Sequence, residues 1–210
     1  VLLGCRDIGK GEAACNALRA EGLPVRPVEL DTTSAASVTR LAEMIQQGYG
    51  HLDALVNNAG NGVDHDPMLT AADRLRRTMS VNVLGPLLLT GAMVPLLQAS
   101  GRGRIVNVSS ELASFGLRSD PNWAFAGFAM PIYQASKAAL NSLTLSYAVQ
   151  LRDKGIKVNS ICPGYTATEA TNYASTRTPD RAAVVAIQYA LLGEDGLTGS
   201  FANDQGALPW

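Results

Sequence analysis

Apolar residues along this chain fall into short runs, separated by longer stretches in which they recur every three or four positions. The runs 1–5, 25–30, 52–57, 104–108, 157–161 and 200–202 read as strands, bounded by glycine, proline and asparagine. The stretches 11–20, 35–46, 71–97, 132–154 and 179–192 read as helices. In the fourth of these, Leu140, Leu143, Tyr147 and Leu151 stand at offsets 0, 3, 7 and 11, one stripe of a buried helix. Strands alternating with helices predict an α/β fold, a doubly wound parallel sheet covered on both faces. No Pro/Gly-rich linker, repeat or low-complexity segment interrupts the pattern, so residues 1–210 are expected to form a single domain.

In such a sheet, ligands bind outside the carboxyl ends of the strands. Three consecutive predicted strands end in small polar residues and glycines: Asn57-Asn58-Ala59-Gly60, Ser109-Ser110 and Cys162-Pro163-Gly164. Each alone is ordinary turn chemistry. Together they predict the floor of a ligand cleft. The opening stretch GCRDIGKG looks at first like a second nucleotide signal, a Walker A loop. Gly11, however, stands where that loop needs a Ser or Thr oxygen for Mg²⁺, so a triphosphate site is rejected.

Composition narrows the classes. A net charge of −1 over 210 residues suggests no nucleic-acid surface. No apolar run approaches the roughly 20 residues of a membrane span, and no secretory leader is visible. Cys5, Cys15 and Cys162 are odd in number and widely spaced, with only His51 and His65 beside them in the composition. That pattern makes neither a disulfide framework nor a metal site. A cytoplasmic setting is expected.

Tyr133-Gln134-Ala135-Ser136-Lys137 is the sharpest chemical feature. Residues four apart share a helix face, so the phenol and the ammonium point the same way. A nearby cation favours the phenolate and is expected to depress the tyrosine pKa, giving a proton donor and acceptor near neutral pH. Such pairs also occur as plain surface contacts. This pair comes with company. Asn57-Asn58-Ala59-Gly60, Asn82, Ser110, Tyr133-x-x-x-Lys137 and Pro163-Gly164, in that order, resemble the short-chain dehydrogenase/reductase family over essentially the whole chain. Cys5-Arg6-Asp7, Ala20-Glu21-Gly22-Leu23 and the end from Gly199 to Trp210 look like its carbonyl reductase branch.

The resemblance implies a Rossmann-like fold and NADPH-dependent reduction of a ketone, aldehyde or quinone-type carbonyl. Tyr133 would protonate the carbonyl oxygen. Lys137 would bind the nicotinamide ribose and tune the phenol, and Ser110, the second serine of its pair, would hold the oxygen. Asn82 would carry a proton-relay water, or else be a buried partner of a helix kink. For the cofactor, the resemblance assigns Arg6 to the 2′-phosphate of NADP(H), a good match for a guanidinium. It assigns Asp31 and Thr32 to the adenine, and Asn58, Ala59 and Gly60 to the ribose and diphosphate side. Tyr133 and Lys137 join them, with Pro163, Gly164 and Thr168 near the carboxamide or phosphates. Asp7, next to Arg6, is expected to point elsewhere.

The family's first strand and its Gly-rich turn are missing ahead of Val1, so the fold is expected to be truncated there and cofactor binding weak if the chain starts at that residue. Ser110 and Tyr133 stand 23 positions apart (133 − 110), and the segment between them carries Phe115, Trp123, Phe125, Phe128 and Met130. They form either a pocket wall for a bulky apolar substrate or a surface flap. Residues 165–177 are expected to act as a lid, and the protein to assemble as a homodimer or homotetramer. The competing reading is a non-catalytic NADP-binding or scaffold protein that keeps the fold.

Overall fold

The computed structural model describes residues 1–210. In chain order it contains β1 (Leu2–Cys5), α1 (Ile8–Ala20), β2 (Arg26–Glu29), α2 (Ala35–Gly48), β3 (Ala54–Asn57), α3 (Ala71–Met79) and α4 (Gly85–Ala99). Then follow β4 (Arg104–Val108), α5 (Phe115–Arg118), α6 (Pro131–Gln150), β5 (Lys157–Ile161), α7 (Pro179–Ala190), β6 (Phe201–Asn203) and β7 (Gly206–Ala207). The alternation expected from the hydrophobic pattern is present throughout. Strand β7, which the pattern did not suggest, pairs antiparallel with β6.

Strands β3, β4, β5 and β6 lie side by side in parallel, and β1 pairs in parallel with β2. The sheet is therefore in two blocks, with no ladder between β1 and β3. Apolar packing joins them instead. Leu30 belongs to the same buried cluster as Val38, Ile45, Met93, Leu97 and Ile105, with Leu2 and Leu55 packed against it. Removing this much apolar surface from water is the main favourable term holding such layers together.

The register sets Asn57, Asn107 and Ser160 side by side at the strand ends. Asn57 Nδ2 donates to Asn107 Oδ1 at 2.7 Å, and Asn107 Nδ2 donates to Thr144 Oγ1 of α6 at 2.8 Å. Thr144 and Ser160 share a hydroxyl bond of 2.8 Å. Polar residues at these ends are thus partly internal glue, tying α6 to three strands.

Two expectations change. Helix α1 starts at Ile8, so Gly9, Lys10 and Gly11 are helical, and Asp7 caps them by accepting from Lys10 N at 3.1 Å. A Cβ on Gly11 would sit 2.3 Å from Cys5 Sγ, so this glycine exists for helix-on-strand contact, not for phosphate. The helix expected over 71–97 runs from Ala71 to Ala99, with a π turn at Ser80–Leu84 between α3 and α4. Its mean hydropathy reaches 1.7 over 18 residues, so by length and composition it could cross a membrane, contrary to the expectation from apolar runs alone. Here its Leu89, Met93, Leu96 and Leu97 are buried in the core.

Candidate active site

The site grows from the first turns of α6. Pro131 opens the helix, with its fixed backbone angle and no N–H to satisfy. Met130, the residue before it, offers no side-chain cap. The next two free amides are taken by a distant carboxylate: Ile132 N donates to Asp64 Oδ1 at 2.8 Å and Tyr133 N to Asp64 Oδ2 at 3.1 Å. Four residues on from Tyr133, Lys137 is 3% exposed, and its Nζ lies 5.7 Å from the phenol ring centroid. Its ammonium donates to Val108 O of β4 at 2.7 Å.

The loop after β3 is fitted to this turn. Asn82, fully buried in the π turn, accepts from Asn61 N at 2.8 Å and donates to Asn61 O at 2.7 Å and to Ser136 Oγ at 2.8 Å. Its side chain braces the loop against α6, as a kink partner would. Gly60 and Gly62 allow the close approach. A Cβ on Gly60 would lie 3.2 Å from Lys137 Nζ, and one on Gly62 would lie 3.0 Å from the Tyr133 ring. Any larger residue at 62 would push the ring or the loop aside.

Electrostatics here run against the expectation of a depressed tyrosine pKa. Burial pushes the Tyr133 phenol up to about 12, although the Ser110 hydroxyl pulls it back. Burial likewise brings the Lys137 ammonium down to about 8. Desolvation disfavours both charged forms, and the two groups are not in direct contact. Cys162, beneath them at the end of β5, is raised to about 11, first by burial and then by the Glu111 charge.

Ser110 stands at the end of β4, beside the phenol, and its Oγ accepts from Leu112 N at 3.2 Å. Ser109, the alternative, is buried, with its hydroxyl directed to Lys137 O at 3.4 Å. Pro163 and Gly164 follow Cys162, and Gly164 takes φ +78, where only glycine is unstrained. Asn58, Ala59 and Gly60 are exposed in front of Lys137. At the other block, Arg6 is exposed at the end of β1 and helps hold the Asp31 carboxyl below its usual range, after the larger effect of hydrogen bonds from Thr33. Thr32 packs against Gly85, where a Cβ would be 2.9 Å from its Oγ1. Thr168 lies farther out, in the segment 165–177.

Three neighbours carried no signal in the sequence. Asp64, Asn61 and Ser136 reach the site through bonds spanning 21 to 69 positions, and no local spacing advertises them. Glu111 is similar. Its Oε1 accepts from Asn203 Nδ2 at 2.9 Å, tying the C-terminal hairpin to the serine segment.

A half-buried tyrosine and a buried lysine on one helix face, set against glycine turns at the ends of parallel strands, define a dinucleotide-type oxidoreductase fold. Comparison with known proteins makes the assignment specific. Residues 1–179 match the short chain dehydrogenase family model, and the chain belongs to that family. It is 32% identical to a short-chain dehydrogenase/reductase of Stachybotrys chlorohalonatus, over all of this chain and 83% of the relative. It is 29% identical to carbonyl reductase (NADPH) 1 of Rattus norvegicus, over all of this chain and 88% of the relative. Among solved structures, salutaridine reductase from Papaver somniferum superposes with a TM-score of 0.83 at 25% identity, over 97% of this chain and 90% of that one. The NADPH-bound carbonyl reductase from chicken fatty liver gives the same TM-score at 24% identity, over 100% and 87%, a likeness of fold.

Proposed function

We propose that this oxidoreductase reduces a bulky apolar ketone, aldehyde or quinone-type carbonyl with NADPH, and runs in reverse as an alcohol dehydrogenase. The observation that carries the reading is the convergence of Ser110, Tyr133 and Lys137, one from the β4 end and two from one face of α6. The residues present fit a dinucleotide. The missing side chain of Gly60 leaves open the approach to Lys137 Nζ, and Asn61 Oδ1 is buried there with no partner. Arg6 would hold the 2′-phosphate, with Asp31 and Thr32 at the adenine, and Asn58, Ala59 and Gly60 at the ribose and diphosphate. Tyr133, Lys137, Pro163, Gly164 and Thr168 would complete the nicotinamide end. When bound, NADPH supplies the hydride that reaches the carbonyl carbon.

The chain's own residues handle the oxygen. A phenol with a pKa near 12 keeps its proton at neutral pH, which suits a donor to the carbonyl oxygen. Ser110 beside it hydrogen-bonds the same oxygen as charge develops there. Lys137, held by Val108 O, sets a positive charge behind the phenol that stabilises the phenolate left after transfer. Phe115, Phe125 and Phe128 are exposed between the serine and the tyrosine, and support an apolar substrate wall. The carbonyl reductase of Rattus norvegicus, NADPH-dependent by its name, supports the same reading.

The test is turnover of quinones and aromatic ketones by wild type and Tyr133→Phe, with NADPH and with NADH. Tyr133→Phe should bind NADPH normally and lose at least about 10²-fold in kcat, and wild type should prefer NADPH. Full activity in the variant would remove Tyr133 as the acid. NADPH binding with no turnover by wild type on any carbonyl would favour a non-catalytic NADP-binding role.

A further inference from the structure

We propose that Asp64 is the positioning residue of the proton donor: its carboxylate sets the height and register of the helical turn that carries Tyr133. This inference rests on Tyr133 being the acid. Asp64 is buried, 7% exposed, which for a lone carboxylate is costly unless every oxygen is satisfied. Here both are: one accepts from Ile132 N and the other from Tyr133 N itself. No local residue could do this. Pro131 has no N–H, Met130 provides no side-chain oxygen, and the first acidic residue is absent from the turn. A carboxylate spanning two backbone amides at a helix start also meets the positive end of the helix dipole.

The backbone that carries this carboxylate is itself held. Arg74 of α3 donates from Nη1 to Asp64 O at 3.1 Å and from Nε to Asp66 O at 3.0 Å. Asn61, three residues earlier, is clamped by Asn82, and Gly62 lies so near the phenol that a Cβ there would be 3.0 Å from the ring. So the backbone N of Tyr133 hangs on Asp64, while the ring of Tyr133 rests on the same loop two residues earlier. The phenol cannot move along the helix axis without breaking one contact or closing on the other.

The experiment uses the full chain, with kcat, KM and NADPH affinity measured for wild type, Asp64→Ala and Asp64→Asn at saturating NADPH. Asp64→Ala frees two amides and should lower kcat by about tenfold to a hundredfold, the cost of a small misplacement of a reacting group. NADPH Kd should stay within about twofold, because Asp64 holds the donor and touches no proposed cofactor residue except Tyr133. Asp64→Asn keeps one accepting oxygen and should recover part of the loss. Ser34→Ala removes the cap of α2, whose Oγ accepts from Ser37 N at 3.3 Å, and calibrates a cap loss away from the phenol. It should lower Tm while leaving kcat within about twofold. The role is overturned if Asp64→Ala keeps kcat, if its kcat and NADPH affinity fall together, or if Ser34→Ala costs as much turnover. Those results leave Tyr133→Phe inactive and are thereby distinct from failure of the functional reading, in which Tyr133→Phe stays active and the inference falls with it.

Discussion

Two loops leave the carboxyl ends of parallel strands on either side of the Tyr133 turn, and they are held in opposite ways. The loop after β3, residues 57–66, bonds to Asn107, to Asn82, and to the amides of Ile132 and Tyr133, partners 21 to 69 positions away. The segment after β5, residues 165–177, bonds mostly to itself. Ser175 Oγ donates to Tyr165 O, Thr171 Oγ1 donates to Thr166 O, and Ala167 N donates to Arg177 O. Its outward tie is the ion pair of Arg177 with Asp204 at 3.0 Å, shared with Arg181 at 2.9 Å. Tyr165 and Tyr173 stand in solvent, and Asn172 and Tyr173 take positive φ. Long-range bonds fix a geometry, whereas short-range ones only shape a segment that can move as a unit. The difference sets the Tyr133 turn against the segment with the long-range ties, and leaves residues 165–177 tied mainly to themselves.

Three experiments sharpen that contrast. The largest effect is expected from Asn82→Ala, which strands Asn61 N and Asn61 O and removes the bond to Ser136 Oγ. Denaturant unfolding should show a loss of about 3 kcal/mol, and kcat should fall with it. Unchanged stability would mean the loop needs no brace.

Next comes pH. Lys137 releases its proton near 8 in the folded protein and near 10.5 in the unfolded chain. Between those values the unfolded state binds more protons, so stability rises with pH through this window, by up to about 3 kcal/mol. Tyr133 works in the other direction: the folded protein keeps its proton to about 12, against an ordinary value of 10.0, so its contribution is lost as pH climbs from 10 toward 12. Urea unfolding of wild type and Lys137→Met from pH 7 to 10 checks the sign. The rise should vanish in the variant, and equal slopes would contradict the burial account.

The smallest effect is expected from Asp204→Ala. Freeing Arg177 and Arg181 should cost about 1 kcal/mol or less, yet limited proteolysis should cut within 165–177 faster while 57–66 stays intact. Equal protection of both segments would dissolve the comparison.

The order of strands and helices was legible because side-chain periodicity follows the local backbone, and so was the Tyr133–Lys137 face, set by four residues of one helix. The polar strand ends were legible as a cluster, although Asn57 turned out to be internal glue, its amide spent on Asn107 of the next strand. The phosphate-loop likeness of the opening stretch was rejected on Gly11, and the structure shows what that glycine is for, a packing contact with Cys5. Direction of the Tyr133 pKa shift was misread, since a sequence shows that a lysine stands near a phenol but not that both lose their water.

What the amino-acid sequence determined by itself was therefore local: element type, the pairing of phenol and ammonium on one face, and membership of a family whose residues recur in order. Tertiary structure alone decided the rest. It placed the π turn that buries Asn82 and brought Asp64 to the start of α6. The physical reason is the same in each case. Burial and hydrogen bonds across 20 to 70 positions depend on how layers pack, and no spacing along the chain encodes that distance.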